Sequence, residues 1–198
     1  MTRSAALLAL ALALTGLAPA RAQAAPATER VVLSGGCFWG MEAVFGALRG
    51  VRSATPGYSG GAALTAHYEL VSTGMTGHAE SVEIVYDPKV VSFAKLLDVF
   101  FTVAHDPTQK DRQGPDSGTQ YRSAIWTTNA AQAREAARMV HAIPGAVTAI
   151  APLHAFYPAE EYHRHYAARH PDDAYIVHED LPKLAHLRER FPSLLAAR

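Results

Sequence analysis

The sequence predicts an α+β domain built around one sheet. Segments with strand and helix periodicity interleave along the chain, and the connections between them include both hairpin-like turns and longer crossovers. No internal repeat appears, and low complexity is confined to the N-terminal stretch. A length of 198 residues, 49% of them hydrophobic, suits one domain with a sizeable core.

The N-terminal stretch is read apart from that fold. Arg3 gives a basic start, Ala5 to Leu17 is apolar apart from Thr15 and Gly16, and Ala20-Arg21-Ala22 fits a small-x-small cleavage site. The apolar run is short of the ~20 residues that a membrane-spanning helix needs. Residues 1–22 are therefore expected to be a cleaved secretory signal, with one domain over 23–198 and its core at about 31–184. Cleavage would leave 16 basic against 18 acidic residues in an exported protein, expected in the periplasm.

Within the domain, Arg30 to Ser34 reads as a short buried strand, and Gly35-Gly36 breaks it. Phe38, Met41, Val44, Phe45 and Leu48 then share one face of a helix that runs from Cys37 to Leu48 and stops at Gly50. Val51 to Tyr58 predicts a second strand, closed by a glycine-rich turn through Gly61. Gly74 and Gly77 mark another turn. Ser81 to Asp87 alternates, with Val82, Ile84 and Tyr86 on one side and Ser81 and Glu83 on the other.

Pro88 ends that strand. Ser92 looks like the cap of a helix through Ala104, with Phe93, Leu96, Leu97, Phe100 and Phe101 as its buried stripe. His105 to Gln120 is nearly free of apolar residues, and a loop that long in a compact domain is usually functional or disordered. Tyr121 to Trp126 reads as a strand, Asn129 to Val140 as a helix, Val147 to Pro152 as a strand and Glu160 to His170 as a helix.

Charge and cysteine content narrow the function. With 18 basic and 18 acidic side chains, the chain lacks the basic stripe of a nucleic-acid binder. The single cysteine excludes an internal disulfide and any multi-cysteine metal site, so no metal is expected. Cys37 falls between a buried strand, a Gly-Gly turn and a helix start, where unpaired N–H groups favour a thiolate. An unpaired cysteine is most often a small buried residue. In an exported protein a free thiol invites oxidation, which tips the reading toward a nucleophile.

Gly35-Gly36-Cys37-Phe38-Trp39-Gly40 resembles the signature of the A-type peptide-methionine sulfoxide reductases. So do Thr76-Gly77-His78-Ala79-Glu80, Val85-Tyr86-Asp87-Pro88, His105-Asp106-Pro107-Thr108, Gly118-Thr119-Gln120-Tyr121-Arg122-Ser123 and Tyr162-His163, in that family's order and spacing. The resemblance runs from about Val31 to about Leu184. It implies a two-layer, ferredoxin-like sandwich, with a mixed sheet packed against helices, and reduction of methionine S-sulfoxide, free or in proteins. Oxidised proteins and peptides would be partners of a monomer that repairs oxidative damage without a cofactor.

The resemblance also implies roles. Cys37 would attack the sulfoxide sulfur and become a sulfenic acid, while Glu80 would protonate the oxygen and Tyr68 and Tyr121 would hydrogen-bond it. Phe38 and Trp39 would hold the methyl group, with Asp116 at the rim. The chemistry is sound on its own terms, because a sulfoxide oxygen leaves poorly until protonated and needs an acid and O–H donors around it. Read without the resemblance, Glu80 is an exposed turn acid, the two tyrosines are half-buried sheet residues, and Asp116 is turn chemistry. Tyr58, Tyr86 and Tyr175 are read as structural.

Two rival activities and one non-catalytic reading stand beside this. A papain-like peptidase would need Cys, His and Asn in concert, and the only Asn, Asn129, permits the order Cys37, His105, Asn129. Glu160, His163 and His165 sit near one another on an expected helix, the first two at the i, i+3 spacing of a carboxylate metal site, although a solvated helix face explains them more simply. A methionine-sulfoxide binding module without turnover is the third. Many relatives carry further cysteines near the C-terminus, and the segment from Tyr175 to Arg198 has none. An external thiol, whether a thioredoxin-like protein, a glutaredoxin or a small thiol, is therefore expected to regenerate the enzyme.

Overall fold

In a computed structural model, which describes residues 27–196, the chain folds as a six-stranded sheet with helices packed against it. The expected signal segment and its cleavage site lie outside the described residues. Strand β1 (Glu29–Ser34) leads through Gly35-Gly36 into helix α1 (Phe38–Gly46), and β2 (Val51–Ser59) follows. A one-turn helix α2 (Tyr68–Val71) precedes β3 (Ala79–Tyr86), and α3 (Phe93–Val99) runs on into a π-helical turn over Phe100–Ala104. Ser92 caps α3, its hydroxyl accepting the Lys95 amide, as the sequence suggests.

The long polar segment holds a short hairpin, β4 (Arg112–Gln113) with β5 (Asp116–Ser117), and runs into a 3-10 turn at Thr119. After it come β6 (Ala124–Thr127), α4 (Ala130–His141), β7 (Ala149–Pro152), β8 (Tyr157–Pro158), the short α5 (Tyr166–Arg169) and α6 (Leu181–Arg190). The sheet order is β7-β6-β1-β3-β2-β8. Its inner four strands, with α1 after β1 and α3 after β3, are antiparallel and have the ferredoxin-like connectivity. The β7 strand joins parallel to β6 and makes the sheet mixed.

Register explains where the core lies. Leu33 faces Val82 and Val31 faces Ile84 across β1 and β3, so these side chains share the face covered by α1. Val31, Leu33, Val82, Ile84, Tyr58 and Tyr86 are fully buried there with Phe38, Met41 and Phe45 of α1. Glu80 stands opposite Tyr58 and, two residues before Val82, on that same apolar face. Cys37 follows the end of β1, and Glu80 begins β3. An antiparallel pairing brings those two ends to the same edge of the sheet.

Two elements depart from expectation. Tyr121 lies in a 3-10 turn (Thr119–Tyr121) rather than in a strand, because β6 starts at Ala124. The helix expected over Glu160–His170 is broken: a 3-10 turn spans Glu161–His163, and α5 is only four residues long. His165 is left-handed, with φ 52°, and its amide donates to the buried Glu42 carboxylate at 2.7 Å, the contact that accompanies the break. Glu160 and His163 consequently do not share a solvated helix face.

Candidate active site

Cys37 is the residue before α1, and its sulfur is nearly buried. Gly36 has φ +91°, and a Cβ there would fall 2.6 Å from Gln113, so the turn ahead of the cysteine requires glycine. The expectation of a ready thiolate is overturned. Burial pushes the thiol well above its usual range, and the charges of Glu80 and Asp180 push the same way. The Trp39 N–H opposes them with a hydrogen bond, but it is the smaller influence. Cys37 in the empty protein is a thiol.

Glu80 is not the exposed turn acid that an isolated reading would make it. It is 2% exposed, and Oε2 accepts the Phe38 N–H at 3.0 Å. That N–H belongs to the first residue of α1, directly after Cys37, so the carboxyl is fastened to the backbone beside the thiol. Desolvation lifts its pKa to about 8, against the pull of the Phe38 hydrogen bond. The group is therefore protonated at neutral pH and able to donate.

Tyr68 and Tyr121 reach the same place from two directions. Burial and then the Glu80 charge raise both phenols, Tyr68 to about 12, and Cys37 adds to both. Tyr68 opens α2, where its amide donates to Glu160 Oε1 at 3.0 Å, while Tyr58 donates to Oε2 at 2.7 Å. Tyr121 is carried by a turn bolted to the chain ahead of Glu80. Thr119 Oγ1 donates to Gly74 O at 2.6 Å, Gln120 Nε2 to Ser72 O at 3.0 Å, and the Arg122 guanidinium to Gly77 O and His78 O. The turn that carries Tyr121 is thus tied by side-chain hydrogen bonds to backbone carbonyls between α2 and Glu80.

Phe38 and Trp39 form the wall. Phe38 is buried among Tyr58 and His163, with ring centroids 5.9 and 4.9 Å away. Trp39 stacks on Tyr166 at 3.7 Å, meets Tyr175 edge-on at 6.0 Å, and donates its indole N–H to His163 Nδ1 at 3.1 Å. Three residues here differ from the reading of the sequence alone: His163, Glu160 and Tyr175. His163 and Glu160 are fixtures of the site rather than a solvated face or a metal pair, and Tyr175 is more than a structural tyrosine. Its hydroxyl donates to Asp116 Oδ2 at 2.5 Å, so Asp116 is a half-buried acceptor and not simply turn chemistry. Tyr175 is the residue the sequence concealed, since no motif or periodicity marks it.

The peptidase constellation does not assemble. His105 Nδ1 lies 2.8 Å from Phe100 O and must donate to it, leaving Nε2 to accept from Ser123 Oγ at 2.7 Å. Both nitrogens are occupied, and Asn129 caps α4 by accepting the Gln132 amide. Among the described residues no group of three His, Cys, Asp or Glu side chains is placed to hold a metal ion. A groove of about 290 Å³ is lined by Glu42, Arg52 and His165 but not by Cys37 or Glu80. What surrounds Cys37 is a sulfur nucleophile beside a neutral carboxylic acid, two phenols and an aromatic wall. Such a set can protonate a poorly leaving oxygen while a soft nucleophile attacks the atom that bears it.

Comparison with known proteins agrees with that chemistry. A family model described as peptide methionine sulfoxide reductase matches residues 29–194. The chain is 49% identical to peptide methionine sulfoxide reductase MsrA 2 of Mesorhizobium japonicum over 87% of its own length and 92% of that protein's. It is 47% identical to the MsrA of Thermus thermophilus over 84% and 97%. Among solved structures, methionine sulfoxide reductase A of Corynebacterium diphtheriae is similar with a TM-score of 0.68 at 39% identity, covering 75% of this chain and 77% of that one. Reduced Mxr1 of Saccharomyces cerevisiae gives the same TM-score at 33% identity, covering 73% and 87%.

Proposed function

The chain belongs to the A-type peptide methionine sulfoxide reductase family, and we propose how its own residues divide the work. It is an enzyme that reduces methionine sulfoxide to methionine. Cys37 Sγ attacks the sulfoxide sulfur and Glu80 passes its proton to the departing oxygen. The thiol proton then replaces the one Glu80 gave. The net change is transfer of one oxygen atom: methionine leaves, reduced by two electrons, and Cys37 becomes a sulfenic acid. Tyr68 and Tyr121 donate hydrogen bonds to the oxygen as charge builds on it, and Phe38 and Trp39 receive the methyl group.

The observation that carries this reading is the Phe38 N–H to Glu80 contact at 3.0 Å, which pins a protonated acid beside the nucleophile. Membership of the family implies the S epimer as the substrate; a notch walled by two aromatic side chains reads little beyond the methyl-sulfoxide group, so free methionine sulfoxide and exposed protein positions both suit it. An external thiol restores Cys37, since the sequence holds no second cysteine to form an internal disulfide. Export to the periplasm fits Ala5–Leu17 followed by Ala20-Arg21-Ala22.

Turnover of each epimer of a peptide sulfoxide, with excess dithiothreitol, tests the proposal in wild type and Cys37→Ser. Wild type should consume the S epimer only and Cys37→Ser neither. Binding of sulfoxide without turnover by wild type would instead leave a binding module.

A further inference from the structure

The outer edge of β2 is only partly covered. β8 pairs with Gly57 and Tyr58, and the Ala159 N–H donates to Pro56 O at 2.9 Å, after which the chain turns away into the 3-10 turn at Glu161–His163. Residues 51–55 therefore have no strand partner on that side among the described residues. Backbone groups alternate along a strand, so the Ala54 N–H and C=O point out of the sheet edge as Pro56 O does. An unpaired edge is a template for one more extended chain. The groove of about 290 Å³ lies beside it, lined by Ala43 and Gly46 of α1, Ala54 of β2 and Ala168 of α5. Glu42 lines it too and is nearly buried. Its Oε2 accepts the His165 amide, whereas Oε1 makes no hydrogen bond among the described residues, His165 Nδ1 standing 3.1 Å away without the alignment of one. Such a bare acceptor calls for a donor from outside. The groove also adjoins the catalytic notch. Glu42 and Ala43 follow Trp39 at i+3 and i+4, on the same face of α1. Tyr166, stacked on Trp39 at 3.7 Å, is flanked in the chain by His165 and Ala167, which both line the groove.

We propose that this groove holds the polypeptide that carries the oxidised methionine: a stretch beside that residue lies along β2 as an added strand, paired to the Ala54 N–H and C=O and donating to Glu42 Oε1. This rests on sulfoxide reduction at Cys37 and deepens it, since it makes an extended protein segment a better substrate than free methionine sulfoxide, which has no chain to lay there. The distance suits such a segment. Glu42 is five residues along from Cys37, about 7.5 Å at the helical rise, which an extended chain covers in two or three residues of ~3.3 Å each. A lining of alanine and glycine lets a main chain come close to the sheet edge. Main-chain bonds give affinity without reading side chains, which fits targets that share only the oxidised residue.

Gly46→Trp tests this, because a Cβ at Gly46 meets nothing within 4 Å and the indole can fill the groove without disturbing the core. Ala168→Trp, at an exposed position of α5, fills it from another wall. Steady-state KM and kcat are measured with dithiothreitol on two substrates: an unstructured peptide of about ten residues with methionine S-sulfoxide at its centre, long enough to lie along β2, and N-acetyl-methionine S-sulfoxide methylamide. In both variants KM for the peptide should rise about tenfold with kcat kept, while the small substrate is turned over as by wild type. A peptide KM unchanged in either folded variant, or raised equally for the small substrate, overturns the proposal. So does an effect confined to KM for a thioredoxin-type reductant, which would give the groove to that partner, or a change of oligomeric state alone, which would give it to a second copy of the chain. Should one variant fail to fold, the other decides. Wild-type turnover of the small substrate tests the reduction chemistry by itself, so failure here is distinct from failure of the proposed function.

Discussion

The indole N–H of Trp39 meets Nδ1 of His163 at 3.1 Å, joining residues 124 positions apart in the chain. That contact fixes the histidine tautomer: Nδ1 accepts, so the ring proton is on Nε2. Burial lowers the pKa of His163, which favours the neutral ring that can accept the indole proton. His163 also packs on Phe38 and Tyr68, so one imidazole touches the aromatic wall and one of the phenols.

His163→Phe should keep the packing and lose the acceptor. Leaving the Trp39 N–H unpaired costs about 1–3 kcal/mol of stability where it is buried, and the indole is free to tilt. KM for a peptide sulfoxide should rise several-fold while single-turnover kcat at saturation and Cys37 alkylation change little. Steady-state kinetics beside urea unfolding check this; an unchanged KM would show that Tyr166 stacking alone positions the indole.

Glu80→Gln should slow sulfenic-acid formation by at least ~10²-fold, the low end for a general acid, without loss of folding. Because wild-type Glu80 titrates at about 8, the single-turnover rate should carry a descending limb near that pH, absent from the variant. Stability follows the same group. The carboxyl binds its proton more tightly folded than unfolded, so its contribution is complete below about pH 4.5 and is lost as pH rises through about 8. Wild type should therefore lose a few kcal/mol between pH 5 and 9 that Glu80→Gln keeps. Equal single-turnover rates would move the proton donation to the tyrosines.

His105 governs the acid side. Burial lowers its pKa to about 4, against the pull of its hydrogen bond to Phe100 O. The unfolded chain binds this proton first, so stability falls as pH drops from about 6.5 to 4, by up to ~3 kcal/mol. The loss should propagate to the site, because a Cβ on Gly35 would sit 2.9 Å from the imidazole and the ring thus lies directly under the turn that presents Cys37. Acid unfolding of His105→Gln should show a shallower slope in that window; an identical slope would assign the titration to another group.

Much of this site was legible because it is carried by local patterns. The Gly35-Gly36 turn between a strand and a helix marks Cys37, and Ser92 is a cap that needs only its neighbours. Glu80 was half legible. Its period-two spacing from Val82, Ile84 and Tyr86 puts it on the apolar face, which is a stronger statement than a turn acid before a strand. Tyr175 was not legible, since it acts through Asp116, 59 positions away, and His163 was marked only by the Tyr162-His163 block, its partner Trp39 lying 124 positions away. The break at His165 was hidden for the same reason, its amide being bound by Glu42 of α1.

Trp39→Ala should cut kcat/KM for peptide sulfoxides strongly and leave alkylation of Cys37 by small reagents largely intact. The indole is a wall for the methyl group, and it holds neither the thiol nor the acid. Dimethyl sulfoxide, which has the methyl-sulfoxide group and nothing else, should lose as much as the peptide does. If Trp39→Ala turned over both substrates as efficiently as wild type, there would be no aromatic methyl pocket.

Recycling follows from the cysteine count. With Cys37 alone in the sequence, the oxidised enzyme has no internal thiol to condense with, and its sulfenic acid waits for one from outside. A first external thiol would form a mixed disulfide with loss of water, and a second would release Cys37 by exchange. Burial of the sulfur beneath Phe38, Trp39 and the tyrosines slows peroxide and so delays over-oxidation. Incubated with methionine sulfoxide and no reductant, the protein should release one methionine per chain and stop. Intact mass should show one added oxygen, trapped by dimedone at Cys37. Adding a thiol should restart turnover at a rate first order in that thiol, because regeneration is then a bimolecular step. A second methionine released without reductant would mean that electrons came from another residue, and the scheme of one cysteine served from outside would have to be abandoned.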